Sequence, residues 1–218
     1  MGTTRQVSVP ERRIPRQQRA LAKVEVILEA GAQVLEAGGP AAFTTNRVAE
    51  RAGVGVSTLY QYFDGKQAVL VALARRELDH HAAAVTQALS AALEGRASNG
   101  QRATEPDRLA IRALIEVYAA RRNMRRIAFD TLVAAGLGQE LARPVEAVAA
   151  LLAGNDDALF PARLSPLRLF VLTSAMNGAL AAAARGDAKH LATPAFEEEL
   201  VSLVRAYAAE PGAPPSDI

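Results

Sequence analysis

The sequence predicts an all-α protein, and three observations carry that expectation. Half of its 218 residues are hydrophobic, but much of that is alanine and only 5% are aromatic. Such a composition suits packed helices better than sheets, which favour β-branched and aromatic side chains. Apolar positions recur at three- and four-residue spacing in one segment after another. Glycine and proline gather between those segments, where helices stop and loops begin.

Length allows one or two domains with a real core. There is no cysteine, which excludes a disulfide framework, a thiolate metal site and a cysteine nucleophile. The N-terminus is charged but has no apolar core of signal-peptide length. The longest candidate for a membrane span, Leu167 to Ala184, is alanine-rich and broken by Thr173, Ser174, Asn177 and Gly178. A soluble cytoplasmic protein without membrane contact is expected.

The elements follow in order. Residues 1–15 hold Gly2, Pro10 and Pro15 and little periodicity, so a disordered arm is expected. Arg12, Arg13, Arg16 and Arg19 make it basic, as a groove-following arm or a solvated tail would be. Val24, Ile27, Gly31, Val34 and Leu35 predict a first helix over about 16–37. Gly38 and Gly39 end it, and Pro40 bars its continuation. Phe43 anchors the loop, and Thr44 is placed to cap a second helix over 45–52. A third is expected over 56–63, and Asp64 can cap a fourth. The fourth runs from about Gly65 to Glu94 on Leu70, Leu73, Leu78, Ala82, Val85, Leu89 and Leu93.

Polar, glycine-bearing residues 95–106 read as a loop. A helix over about 107–121 should turn Leu109, Ala113, Leu114 or Ile115, and Tyr118 inward. Another spans about 124–135 and breaks at Gly136 and Gly138. Residues 139–152 form a helix kinked or restarted at Pro144, and 154–164 a connection. Ser165-Pro166 and Thr193-Pro194 each pair an N-cap with a proline at the first helical position. They open two helices that reach about Arg185 and Ala209. Residues 212–218 are a proline-rich tail.

The organising stretch is Thr44 to Lys66, TTNRVAERAGVGVSTLYQYFDGK. It reads as two short helices around a glycine turn at Gly53, then the start of a third. Ala49, Ala52, Val54, Leu59 and Phe63 supply small and apolar positions for one core. This is helix-turn-helix spacing, whose physical use is to lay the second helix in the DNA major groove. The charge agrees: up to Lys66 nine Lys/Arg stand against six Asp/Glu, a balance of +3, and the other residues sum to −1 of the total +2.

Within this stretch A-G-V-x-x-x-T-L-Y-x-Y-F-x-x-K, from Ala52 to Lys66, resembles the signature of the tetracycline-repressor (TetR/AcrR) family. Val48 to Arg51 (V-A-E-R), Phe43 and the Ile27-Leu28 pair are also similar to the family pattern. The close resemblance covers about Val24 to Leu73, and beyond it only the layout matches. It implies a helix-turn-helix DNA-binding domain at 16–66 and a helical regulatory and dimerisation domain at 67–210, between the arm (1–15) and a tail (211–218). One departure is Gly55, where the family commonly has Ser or Thr. Glycine still serves as an N-cap, but a side-chain contact is lost.

Resemblance and geometry together make Val56, Ser57, Thr58, Tyr60 and Gln61 the candidates for the groove-facing side. Gln61 can bond adenine N6 and N7, and Val56 and Thr58 can touch a thymine methyl. Tyr62 resembles the family's phosphate-contacting tyrosine. Thr44 and Thr45 sit at a helix N-terminus, where N–H groups and hydroxyls favour a phosphate. Lys66, in the first turn of the fourth helix, opposes that helix's dipole unless a phosphate lies near. Core packing for the tyrosines and plain capping for Thr44 are the structural alternatives.

Specificity from so small a head calls for a homodimer on a two-fold related site in double-stranded DNA, with reading helices about 34–36 Å apart or a multiple. The last two helices are the expected dimer surface. Leu167, Phe170, Val171, Ser174, Gly178 and Ala182 lie on one; Phe196, Leu200, Leu203, Val204 and Tyr207 lie on the other. Intramolecular core is the alternative.

The resemblance also implies a small-molecule effector, of unknown identity, bound among the middle helices. Pocket candidates are Tyr118, Met124, Phe129, Thr131, Leu132, Met176 and Asn177, each of which ordinary core packing would also explain. Arg121, Arg122, Arg125 and Arg126 form a basic cluster, fit for an anion or a solvated face. His80 and His81, adjacent on a helix, diverge by about 100° and cannot readily share a metal. Neither metal nor cofactor is expected. No phosphate loop, nucleophile elbow or histidine–nucleophile pairing points to an enzyme. The reading is a ligand-responsive transcriptional regulator, a repressor by expectation; a protein-interaction module or an enzyme with an unrecognised site are the alternatives.

Overall fold

A computed structural model gives the structure, and it describes residues 16–97, 105–153, 164–186 and 189–209. The expected basic arm over 1–15, most of the loop at 95–106, the connection at 154–164 up to residue 163, and the C-terminal tail lie outside the described residues. Among the described residues there are nine α-helices, two short 3-10 turns and no strand. The chain divides between Val69 and Leu70 into two compact units.

The first unit holds α1 (Arg16–Ala42), α2 (Thr45–Arg51), α3 (Val56–Tyr60) and the start of α4 (Gly65–Ala97). α1 is helical in two pieces. Gly39 sits at φ 66°, ψ −173°, outside helical space, and Pro40 follows it. A left-handed φ is cheap only for glycine, so the break falls there. Ile27, Phe43, Val48, Leu59 and Val69 are wholly buried and form the centre of this unit. Arg51 Nε donates to Gln33 Oε1 at 2.7 Å and Arg47 Nη1 to the Ala42 carbonyl at 3.2 Å, both tying α2 back to α1.

The second unit holds the rest of α4, then α5 (Pro106–Ala119), α6 (Arg122–Ala134), a 3-10 turn (Gly138–Ala142) and α7 (Arg143–Ala153). α8 (Pro166–Arg185), a second 3-10 turn (His190–Ala192) and α9 (Pro194–Ala209) complete it. α7 packs on α8, and α5 on both α8 and α9. Its main core gathers Val85, Leu89, Ile111, Leu172, Leu180 and Val201 with their neighbours. Ala74, Leu78, Ala128 and Leu132 form a smaller cluster. Ser165 and Thr193 cap their helices, accepting from Arg168 N at 3.3 Å and Phe196 N at 3.4 Å.

Three sequence expectations need correction. The third helix is shorter than 56–63: Gln61 N and Tyr62 N bond the Thr58 and Leu59 carbonyls, an i→i+3 tightening that ends it after Tyr60. Leu109 is 47% exposed, because Ala110 and Ile111 take the inward phase of α5. That helix ends at Ala119 rather than near residue 121, since Arg121 adopts a left-handed φ of 48° at the turn into α6. The restart expected at Pro144 is present: residues 138–142 form a 3-10 turn, and the regular helix begins at Arg143 with Pro144 in its first turn, where a missing N–H costs nothing.

Candidate nucleic-acid interface

The head is built on a turn that only glycine takes without strain. α2 ends at Arg51 with Ala52 as its C-cap, and Gly53 carries φ +66°, with its N–H on the Glu50 carbonyl and Val54 N on the Ala49 carbonyl. Gly55 then caps α3 by backbone alone. The polarity of α3 follows from its buried residues. Leu59 and Phe63 are buried, while Val56, Ser57, Tyr60 and Gln61 are exposed and Thr58 and Tyr62 are half-buried. With Gly55 leading, four exposed side chains of mixed hydroxyl, amide and apolar character stand on one short segment. Gln61 sits at the C-cap of α3, one residue beyond the helix.

α2 adds its own N-terminus. Thr44 Oγ1 accepts from Arg47 N at 3.2 Å, so Thr44 acts as the N-cap, and its side chain is exposed. The Thr45 and Tyr60 hydroxyls lie 3.4 Å apart, which joins α2 to α3 across the turn. Lys66 is exposed in the first turn of α4. Donor hydroxyls, an amide and a cation are the groups that bind phosphate oxygens and base edges.

The pocket candidates of the second unit fall into two groups. Tyr118, Phe129, Leu132, Met176 and Asn177 line cavities. Met124 and Thr131 line neither, so for these two the expectation is corrected: Met124 is buried one turn before Ala128. The Tyr118 hydroxyl donates to Asn177 Oδ1 at 2.5 Å. Burial pushes the Tyr118 hydroxyl up to about 12, against the pull of Arg125, so it keeps its proton at neutral pH.

The basic cluster is spent mostly on structure. Arg121 holds buried Glu77 with two nitrogens, the shorter contact at 2.9 Å. Arg122 donates to the Ala184 and Gly186 carbonyls at 3.0 and 2.8 Å, closing the C-terminus of α8. Arg125 donates to the Val117, Tyr118 and Ala120 carbonyls at the end of α5 and to His81 Nδ1 at 2.9 Å. His81 is buried and His80 exposed. Sequence reasoning weighed His81 only as a metal ligand. Its position in the a/d-like phase of α4, four residues before Val85, was the signal for burial.

On α8, Leu167 is 71% and Phe170 57% exposed, and Val171, Ala175, Gly178 and Ala182 are exposed beside them, with Ser174 half-buried. α8 is long and apolar enough to cross a membrane by length and composition alone, and a third of its apolar window is buried in this chain. α9 is different. Leu200 and Val204 are 3% and 8% exposed and belong to the main core of their own chain. That corrects their expected place on a dimer face. Leu203 is exposed there, Phe196 and Tyr207 are half-buried, and Arg168 stacks on the Tyr207 ring with its guanidinium carbon 4.6 Å from the centroid.

A helix-turn-helix head followed in the chain by an all-helical unit is an arrangement that DNA-binding transcriptional regulators use. Residues 27–73 match the family model of bacterial regulatory proteins, tetR family. The match falls on the N-terminal head. No curated protein sequence matches it. The fold recurs in a structure described as a TetR-family transcriptional regulator from Mesorhizobium loti, at TM-score 0.66 and 16% identity, over 88% of this chain and 97% of that one. It recurs also in the TetR family repressor AlkX from Dietzia sp., implicated in biodegradation of n-alkanes (TM-score 0.59, 18% identity, 85% and 94% covered). A third is the multidrug binding protein EbrR complexed with imidazole (TM-score 0.58, 20% identity, 87% and 97% covered). At these identities the likeness is one of fold.

Proposed function

We propose that the protein is a homodimeric, ligand-responsive repressor that binds a palindromic operator and is released from it by a small-molecule effector. It acts in the cytoplasm, by binding and not by catalysis. The observation that carries this reading is the polarity of α3: Val56, Ser57, Tyr60 and Gln61 exposed over buried Leu59 and Phe63. That is the arrangement a recognition helix needs, one side fixed in the head and the other free for base edges. Thr44, Thr45, Tyr62 and Lys66 take phosphates, with Gln61 and Val56 reading bases.

Dimerisation rests on the apolar face of α8. Leu167, Phe170 and Val171 expose large apolar surface, and Gly178 and Ala182 would let a second helix approach closely. A second copy covers this face, with Leu203 of α9 beside it. In this reading residues 16–66 are the DNA-binding domain and 67–210 the regulatory and dimerisation domain, and an effector among α4 to α8 changes the separation of the two heads.

The test is selection of bound DNA from a random pool by the purified full chain at stated salt. Recovery of one two-fold symmetric sequence is the expected result. Sequence-independent, salt-sensitive binding alone, or no binding by folded protein, sinks the reading.

A further inference from the structure

Two cavities lie within the second unit. One, of about 80 Å³, has an almost wholly apolar wall that includes Val85, Leu89, Ile111, Leu172 and Leu180. The other, of about 110 Å³, is walled by Glu77, His81 and four arginines, Arg122, Arg125, Arg126 and Arg185, beside Phe129 and Leu132. Tyr118, Pro144 and Asn177 line both. The partition is thus built on the 2.5 Å hydrogen bond from Tyr118 to Asn177.

The two chambers differ in charge. In the apolar one the charged group is Asp107, which is matched by Arg205 at 2.5 Å. In the polar one the acid is Glu77, and Arg121 occupies both of its oxygens. Backbone carbonyls hold Arg122 and Arg125 in place without neutralising them. Arg126 has Asp130 only at 3.9 Å. Arg185 lies with its guanidinium carbon 4.6 Å from the Phe129 ring centroid and has no ion pair among the described residues. A cationic chamber adjoins an apolar one through a wall of Tyr118, Pro144 and Asn177.

We propose that the effector is an amphipathic organic anion, a monocarboxylate whose alkyl or aryl body enters the apolar chamber while its carboxylate meets Arg126 and Arg185 in the polar one. The ligand's body parts Tyr118 from Asn177, and its carboxylate supplies a counter-charge to Arg185, and to Arg126 beside its long contact with Asp130. Guanidinium groups bind carboxylates in paired hydrogen bonds, whereas a quaternary ammonium of the same length meets four like charges and a neutral alcohol gains only the apolar contacts. This inference rests on the reading of the second unit as effector-binding.

The experiment is calorimetric titration of the full chain, without DNA, with octanoate, 1-octanol and octyltrimethylammonium. Octanoate is expected to bind at least about tenfold more tightly than either of the others. The double variant Arg126→Gln/Arg185→Gln, at two exposed positions, should weaken octanoate by about tenfold and leave octanol unchanged, with helical circular dichroism unaltered. Octanol or the ammonium binding as tightly as octanoate overturns the proposal, as does an unchanged octanoate affinity in the double variant. Absence of binding by all three also overturns it. The same samples are assayed on the selected DNA: a protein that binds a symmetric operator but no octanoate refutes only the anion inference, and one that takes octanoate but no operator refutes only the DNA reading.

Discussion

Arg125 Nη1 lies 2.9 Å from His81 Nδ1 inside the second unit. A guanidinium can only donate, so His81 must accept through Nδ1 and carries its proton on Nε2. Burial first, and the Arg125 charge second, pull the His81 pKa from 6.5 down to about 4. The folded chain therefore binds that proton less well than the unfolded chain does. Stability from this group is complete above about pH 6.5 and drains away as pH falls towards 4, by about 3 kcal/mol in all.

His81→Asn keeps an acceptor for Arg125 but does not titrate. In chemical denaturation between pH 7 and 5, the wild-type should lose stability and this variant should stay nearly flat. The paired carboxylates Asp107, Glu140, Glu197 and Glu198, held below their ordinary values by arginine partners, lose their contribution at lower pH and in both proteins alike. Parallel slopes in the two proteins from pH 7 to 5 would show that His81 is not the group responsible.

Gly53→Ala should destabilise the head by about 1–2 kcal/mol, the cost of a left-handed φ for a residue with a Cβ. No atom lies within 4 Å of the added carbon, so the effect is conformational and not steric. The denaturation midpoint measures it; an unchanged midpoint would mean the turn relaxes to another φ.

In the reading head the variants should separate by kind. Tyr62→Ala and Lys66→Ala are expected to weaken DNA binding across sequences and, for Lys66, to lower the salt slope by about 1. Gln61→Ala should relax preference at one position of the operator, by about 1–3 kcal/mol of discrimination. Fluorescence anisotropy on operator and scrambled duplexes at several salt concentrations reads both effects. Equal behaviour of all three variants and the wild-type would remove these residues from the interface.

Phe170→Arg should shift the chain to monomer, with the dimer weakened by at least about 2 kcal/mol. Phe170 makes no part of its own chain's buried core, so the fold should persist. Sedimentation velocity over a range of concentrations checks this, and a dimer as tight as the wild-type would move the interface off α8.

The amino-acid sequence by itself determined the local code. Thr44, Ser165-Pro166, Thr193-Pro194 and the Gly38-Gly39-Pro40 break are signals within a few residues, and their capping bonds and left-handed glycine are local physics. Inward Leu59 and Phe63 follow from helical phase around a glycine turn. What only tertiary structure decided depends on contacts far apart in the chain. Arg121, Arg122 and Arg125 read as one basic cluster, yet a glutamate on α4 and helix-end carbonyls on α5 and α8 take one each. Leu200 and Phe170 have the same apolar character, and only the packing of α5 and α8 against α9 buries the first and leaves the second bare. Periodicity tells which residues share a face; it does not tell which neighbour that face will meet. The Tyr118–Asn177 partition joins residues 59 positions apart, a separation over which sequence spacing carries no geometry.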